Sequence, residues 1–279
     1  MWTLPIPDDS ERLVELLMSL EYKNGNPKYD ISKREIDIIE AIYDLYHEVK
    51  ALHHDSFLSN LLSDEANNAV ADAYSEVQVN GRLKTLRSKL LLSASRCPIC
   101  GFEPVSDLDH YLPESMYKAL AIYSRNLIPL CHKCNNKKRA AIVEDGIGFL
   151  HCYYSILPSV KFLSATCIIN DNLLNFEFNI TKTDDMSEEI YNSLLYQVER
   201  VDLFVRLIPE VNIMLGSMYT GMFMAYEQNG GQGLKSLLNL TVEDYIRRYG
   251  VNDWRTAIID SLFENDDFCN GAFIQILGH

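Results

Sequence analysis

The sequence predicts an α+β protein: a mainly helical body carrying a small β-hairpin and, near its middle, a metal-clamped insert. Three observations predict it. Apolar residues recur at helical spacing toward both ends of the chain, and residues 174–180 (LNFEFNI) alternate strictly between apolar and polar. Between these regions, two Cys-x-x-Cys pairs, Cys97 with Cys100 and Cys131 with Cys134, bracket 30 residues. That gap exceeds zinc-ribbon spacing, so folded structure is expected inside it. The chain accordingly divides into an N-terminal helical region (1–93), a zinc-bearing core (94–140) and a C-terminal, mainly helical region with the hairpin (141–279).

Taken in order, Ser10 reads as the N-cap of a helix whose Leu13, Leu16, Leu17 and Leu20 share a face. Asn24-Gly25-Asn26-Pro27 is a loop, and Ser32 caps a second helix with Ile36, Ile39, Tyr43 and Tyr46 on its apolar side. A polar third segment spans residues 64–79, with Asn80-Gly81 either breaking it or lying within one long helix. Beyond the insert, residues 144–148 read as a turn, and residues 165–169 (ATCII) pair with 174–180 across Asn170-Asp171-Asn172. Helical spacing returns from Ser187. The apolar run 201–226 contains Asp202, Arg206, Pro209 and Glu210, so it reads as a core helix kinked at Pro209 and not as a membrane span. Gly230-Gly231-Gln232-Gly233 reads as a flexible loop, with short helices expected over 242–249 and 253–263.

The formal charge of −14 argues against nucleic acid only while it is taken as one number. Residues 1–76 hold 16 acids and 6 bases, residues 77–140 hold 4 acids and 11 bases, and residues 141–279 hold 19 acids and 8 bases. The net values of −10, +7 and −11 place the positive island on the cysteine cluster. Phosphate binding needs local, not global, positive potential. Arg82, Lys84, Arg87, Lys89 and Arg96 lie in a stretch without acids, and read as a phosphate-tracking helix or as a solvated face. Seven cysteines, an odd count with four at metal spacing, and an N-terminus without a signal peptide point to a reducing cytoplasm.

Inside the insert stand Asp109-His110-Tyr111-Leu112-Pro113, then Asn126, then Asn135 directly after the last cysteine of the pairs. Phosphodiester hydrolysis needs an activated water, a cation on the scissile phosphate and a stabilised leaving oxygen. A neutral imidazole at His110 can take the water's proton. Asp109 and Asn135 offer hard oxygens suited to Mg²⁺ or Mn²⁺, whereas the four thiolates suit a structural Zn²⁺. Each feature also has a plainer reading: Asp-His before Pro as a turn, the cysteines as a structural zinc ribbon, and Asn135 as a helix cap. Lys133, Lys137, Lys138 and Arg139 read as backbone-phosphate contacts, with Arg125 a further candidate.

In their joint order, Cys-x-x-Cys, Leu-Asp-His-Tyr-Leu-Pro and Asn-Leu-Ile-Pro-Leu-Cys-x-x-Cys-Asn-x-Lys, these residues resemble the HNH endonuclease family over about 45 residues. The resemblance implies a ββα-metal core. It makes His110 the general base, Asp109 and Asn135 the ligands of the catalytic metal, and Asn126 the residue that pins the loop aiming the histidine. It also makes Cys97, Cys100, Cys131 and Cys134 the structural zinc ligands. Asn135 stands where the family often has histidine, a departure that bears on metal preference. The chain is further similar to bacterial HNH proteins with helical flanks, some acting in anti-phage defence beside a partner ATPase, as in Septu-type pairs. The expectation is therefore a cytoplasmic nuclease acting on DNA, with a possible ATPase partner and no membrane. Two alternatives stand beside it: a zinc-stabilised binding module without catalysis, and a toxin-like nuclease acting alone.

Overall fold

The computed structural model describes residues 3–58, 61–144, 146–171 and 173–278. It divides into two compact units, one ending at Ile156 and the other beginning at Leu157, and the cysteine-bracketed insert lies within the first. About 53% of the chain is helical, and its two sheets are two-stranded antiparallel ribbons, a mixed helix-and-hairpin architecture.

The first unit opens with α1 (Arg12–Ser19), α2 (Lys33–Glu48), α3 (Asp64–Asp72) and α4 (Lys84–Leu92). Ser10 does not cap α1. Its hydroxyl bonds the Asp8 carboxylate at 2.9 Å, and Glu11 takes the capping position without a side-chain bond. Ser32 does cap α2, in a reciprocal capping box with Glu35 that satisfies two otherwise orphaned N–H groups. The apolar side of α2 is buried at Ile39, Tyr43 and Tyr46. Tyr43 stacks on Tyr123 with centroids 4.1 Å apart, and Tyr46 meets the same ring edge-on at 5.5 Å. Such pairs add about 0.5–1.5 kcal/mol each beyond area burial. After α3 a 3₁₀ turn (Ala73–Val77) follows, and the chain reverses at Gly81. A Cβ there would lie 2.0 Å from the Glu76 carbonyl oxygen, so the reversal requires glycine.

The insert folds as β1 (Asp107–His110), β2 (Leu127–Leu130) and α5 (His132–Lys138). The strands pair antiparallel, with Asp107 opposite Leu130 and His110 opposite Leu127. Pro129, which cannot donate to a ladder, is accommodated because the ribbon has only two strands. Glu144 and Ile147 close the expected turn by mutual backbone bonds of 2.9 and 2.8 Å; Asp145 of that turn lies outside the described residues.

In the second unit, β3 (Leu163–Asn170) and β4 (Leu173–Ile180) form the hairpin, with Asn170 opposite Leu173; Asn172 of its turn lies outside the described residues. Helices α6 (Glu188–Arg200), α7 (Leu203–Tyr249), α8 (Trp254–Glu264) and α9 (Phe273–Leu277) complete it. The break in α7 is not at Pro209 but at Asn229 and Gly230, the two residues that leave helical φ/ψ. Burial of Leu207, Val211 and Leu215 around Pro209 keeps that turn helical despite its missing N–H. The loop expected at residues 230–233 is reduced to that break: Gly230, at φ +55°, leaves the helix, and residues 231–233 continue it. At Gly233 a Cβ would stand 2.1 Å from the Ala225 carbonyl oxygen, so the backbone on the two sides of the break approaches too closely for a side chain there. Residues 242–249 are the end of α7 and not a separate helix. No described helix is long and apolar enough to cross a membrane.

Candidate functional site

The two Cys-x-x-Cys pairs converge. The Sγ atoms of Cys97, Cys100, Cys131 and Cys134 all lie within 4.8 Å of one another, and those of Cys100 and Cys131 are 3.9 Å apart. A tetrahedral ion with Zn–S bonds of ~2.3 Å has sulfur–sulfur edges of about 3.8 Å, so the cage has the right size. Local geometry explains the convergence. Gly101, at φ +77°, closes the first knuckle with a 2.8 Å bond from its N–H to the Cys97 carbonyl. Cys131 is the N-cap of α5, where its sulfur accepts the Cys134 N–H at 3.4 Å. All four side chains are buried. Burial pushes the Cys97 thiol up, while bonds from Cys100 and Cys134 hold Cys131 toward thiolate. Four thiolates cannot share so small a buried volume without a cation between them.

Ribbon and helix together position the polar residues. Successive residues of β1 face opposite sides, so Asp107 and Asp109 share one side and His110 lies on the other. The first side meets α5 through residues 132, 135 and 138, one helical face. Asp107 Oδ2 accepts the Asn135 amide at 3.0 Å and lies 3.0 Å from His132 Nδ1. Burial raises the Asp107 carboxyl, but the bonds from Asn135, His132 and Ser106 outweigh it and leave the group below its ordinary range. Lys138 Nζ lies 2.8 Å from Asp109 Oδ2 and donates to the His110 carbonyl at 2.7 Å. Burial nevertheless holds the Asp109 carboxyl above its ordinary range, outweighing the Lys138 charge and the bonds from Lys138 and the His110 backbone that pull it down.

His110 is held differently. Its Nε2 is 2.7 Å from the Ala121 carbonyl oxygen, which can only accept, so Nε2 carries the proton and Nδ1 the lone pair. The ring packs on Tyr74 at 4.4 Å, and the Tyr74 hydroxyl in turn donates to the Leu108 carbonyl at 2.6 Å. Glu114 Oε2 stands 3.9 Å from Nδ1, too far for a hydrogen bond but close enough to favour an imidazolium. Burial lowers the His110 pKa to about 4, with the Lys138 charge adding to the effect, so the ring is neutral at physiological pH. Asn126 is fully buried. Its amide accepts the Leu112 N–H at 2.9 Å and donates to the carbonyls of Leu112 and Leu120, tying down the loop that follows His110.

The expected phosphate contacts separate into two groups. Lys138 is fully buried and committed to Asp109 and His110, so it cannot reach a phosphate. Lys133 and Arg139 are exposed and Lys137 is half-buried, although Lys133 already pairs with Glu103 at 2.7 Å. Arg125 is held by Asp9 at 2.7 Å and by the Pro7 carbonyl. The phosphate-tracking helix is also largely engaged: Arg82 bonds the carbonyls of Met18, Glu21 and Tyr22, Arg87 that of Ser106, and Lys89 pairs with Glu11.

Sequence reasoning missed Asp107, Glu114, Tyr74 and Tyr46. The period-2 repeat in Asp107-Leu108-Asp109 placed both carboxylates on one side and was legible. Nothing local announced Tyr74 or Tyr46, which come from helical segments far back in the chain. Comparison with family models, curated proteins and solved structures returned no match to this chain, so its function is argued from its own residues.

Proposed function

We propose that the protein is a zinc-stapled, metal-dependent nuclease that hydrolyses phosphodiester bonds, with His110 as general base. The observation that carries this reading is the fixed tautomer of His110. A carbonyl holds Nε2–H, which leaves Nδ1 as the basic nitrogen of a ring that stands one residue from Asp109, in a strand–strand–helix frame braced by four cysteines. In this role Nδ1 takes the proton of the attacking water, and Glu114 stabilises the imidazolium that results. A pKa near 4 makes the ring a weak base, but one already in its basic form at neutral pH.

Zn²⁺ fits the thiolate cage by size and softness, and its role there is structural. Mg²⁺ or Mn²⁺ suits the hard oxygens of Asp109 and Asn135, with Asp107 beside them, and would take the place that the Lys138 ammonium now holds at the buried Oδ2 of Asp109. Bound at these residues, the ion would supply positive charge to the scissile phosphate. Asn126 holds the loop, and Lys133, Lys137 and Arg139 steer the phosphate backbone. DNA is the proposed substrate class, and the acidic flanks suit docking on a basic partner such as an ATPase in an anti-phage pair. One observation favours the alternative of a zinc module without catalysis: Lys138 already compensates the Asp109 charge.

The test is cleavage of duplex and single-stranded DNA and of RNA by zinc-loaded protein. A chelator too weak to strip four thiolates should abolish cutting, and added Mg²⁺ or Mn²⁺ should restore it. Cutting that persists with only the thiolate-bound zinc would rule out the second metal.

A further inference from the structure

We propose that Tyr46 and His151 are positioning residues that set the geometry of His110 by acting through Asn126. Tyr46 and His151 stand 105 positions apart in the first unit, yet both are buried, Tyr46 on Asn126 and His151 on Tyr46, at 0% and 3% exposure. The inference rests on the nuclease reading for its catalytic meaning, but not for its geometry.

The protons along the chain are fixed one by one. Asn126 Oδ1 accepts the Leu112 N–H, and Nδ2 serves two carbonyls, so the amide can adopt only one orientation. The second lone pair of Oδ1 faces the Tyr46 hydroxyl at 3.0 Å. An amide oxygen only accepts, so the Tyr46 proton points at it; the competing Arg125 carbonyl is farther, at 3.4 Å. Tyr46 Oη then has only lone pairs for His151 Nε2, 3.1 Å away, and Nε2 must be the protonated nitrogen. His151 Nδ1 agrees, because it accepts the Tyr153 N–H at 3.1 Å.

What Asn126 grips matters for His110. Leu112 lies two residues beyond the histidine, and Leu120 precedes Ala121, whose carbonyl holds His110 Nε2–H. Slack at Asn126 therefore reaches both the backbone that carries the ring and the acceptor that fixes its tautomer. Tyr46 is anchored in turn by its edge-on contact with Tyr123 and its place on the capped helix α2. An asparagine with all four bonds made and its outer partner locked can hold a loop to a fraction of an ångström. A misplacement of about 1 Å at a catalytic group costs up to about 100-fold in rate.

The test uses full-length, zinc-loaded protein with ¹⁵N-labelled histidine. Long-range ¹H–¹⁵N correlation reads the His110 tautomer, assigned by its loss in His110→Ala. The parent should show a single Nε2–H form. Tyr46→Phe should give mixed or exchange-broadened tautomers and, in the cleavage assay, a kcat lower by roughly 10- to 100-fold with KM within about twofold. His151→Phe should act in the same direction but less, because Tyr46 can still donate to Asn126; it carries the test if Tyr46→Phe does not fold. Adding Tyr46→Phe to Asn126→Ala should change the His110 signature no further. A His110 signature as sharp in both single variants as in the parent would overturn the proposal. A parent that does not cut any nucleic acid would sink the nuclease reading, while the tautomer measurement still decides this one.

Discussion

Replacing Lys138 by methionine removes a charge while keeping most of the side-chain volume. In the structure this ammonium is fully buried and 2.8 Å from Asp109 Oδ2, and the Asp109 side chain is 13% exposed. At that separation the attraction is about 6 kcal/mol for an effective dielectric constant of 20, and the desolvation of both ions opposes it. Breaking such a pair by deleting one partner costs about 3–5 kcal/mol, because the other charge stays buried alone. The lost bond to the His110 carbonyl adds to that cost. For a unit of this size, 1 kcal/mol moves the melting temperature by about 2–4 °C, so Lys138→Met should lower it by roughly 6–20 °C. The assay is thermal and urea unfolding in excess zinc, followed by near-ultraviolet circular dichroism of the tyrosine cluster. Asp109→Asn combined with Lys138→Met should recover much of the loss, since no uncompensated charge remains. A Lys138→Met protein within 1 kcal/mol of the parent, but with weaker nucleic-acid binding and a shallower salt dependence, would refute the reasoning and return Lys138 to the surface.

Purification without added metal should yield one zinc per chain by elemental analysis, and Cys97→Ser or Cys131→Ser should lose the metal and the cooperative unfolding of the first unit together; a folded parent without zinc would contradict this. Stability should also fall as pH drops. Burial lowers His110 to about 4 and His151 to about 3, both below the unfolded value of 6.5. The folded state thus binds fewer protons between pH 4 and 6.5, so this stability is complete above pH 6.5 and is lost progressively as pH falls toward 4. Urea midpoints between pH 5 and 7 should show it, and His151→Phe should flatten the dependence; a flat profile in the parent would speak against both burials.

The sequence made the four-cysteine cluster legible through local spacing, and the strand–strand–helix order of the insert through the resemblance its motifs carry. Two knuckles and an alternating Asp-Leu-Asp-His strand leave little freedom. The capping box at Ser32 was legible for the same reason. Ser10 was misleading because the Asp8 carboxylate two residues away competes for its hydroxyl. Pro209 misled because burial around it, which is non-local, keeps its turn helical, and α7 breaks instead at Asn229 and Gly230, at the start of the glycine run. Lys138 was assigned to phosphate from its charge and neighbours. Helical phase, counted as 132, 135 and 138 on one face, would have turned it toward β1. Tyr46 and His151 lie 80 and 25 positions from Asn126, and no local pattern joins residues at that distance.

The measurement that bears most directly on the account is the rate of nucleic-acid cleavage by His110→Ala beside the parent, with zinc content, fold and binding affinity determined on the same preparations. If Nδ1 of His110 takes the proton of the attacking water, the variant should keep its zinc and its affinity and lose activity on the order of 10²–10⁴-fold. A His110→Ala protein that cuts as fast as the parent would contradict the assignment and leave the four-cysteine frame as a binding module.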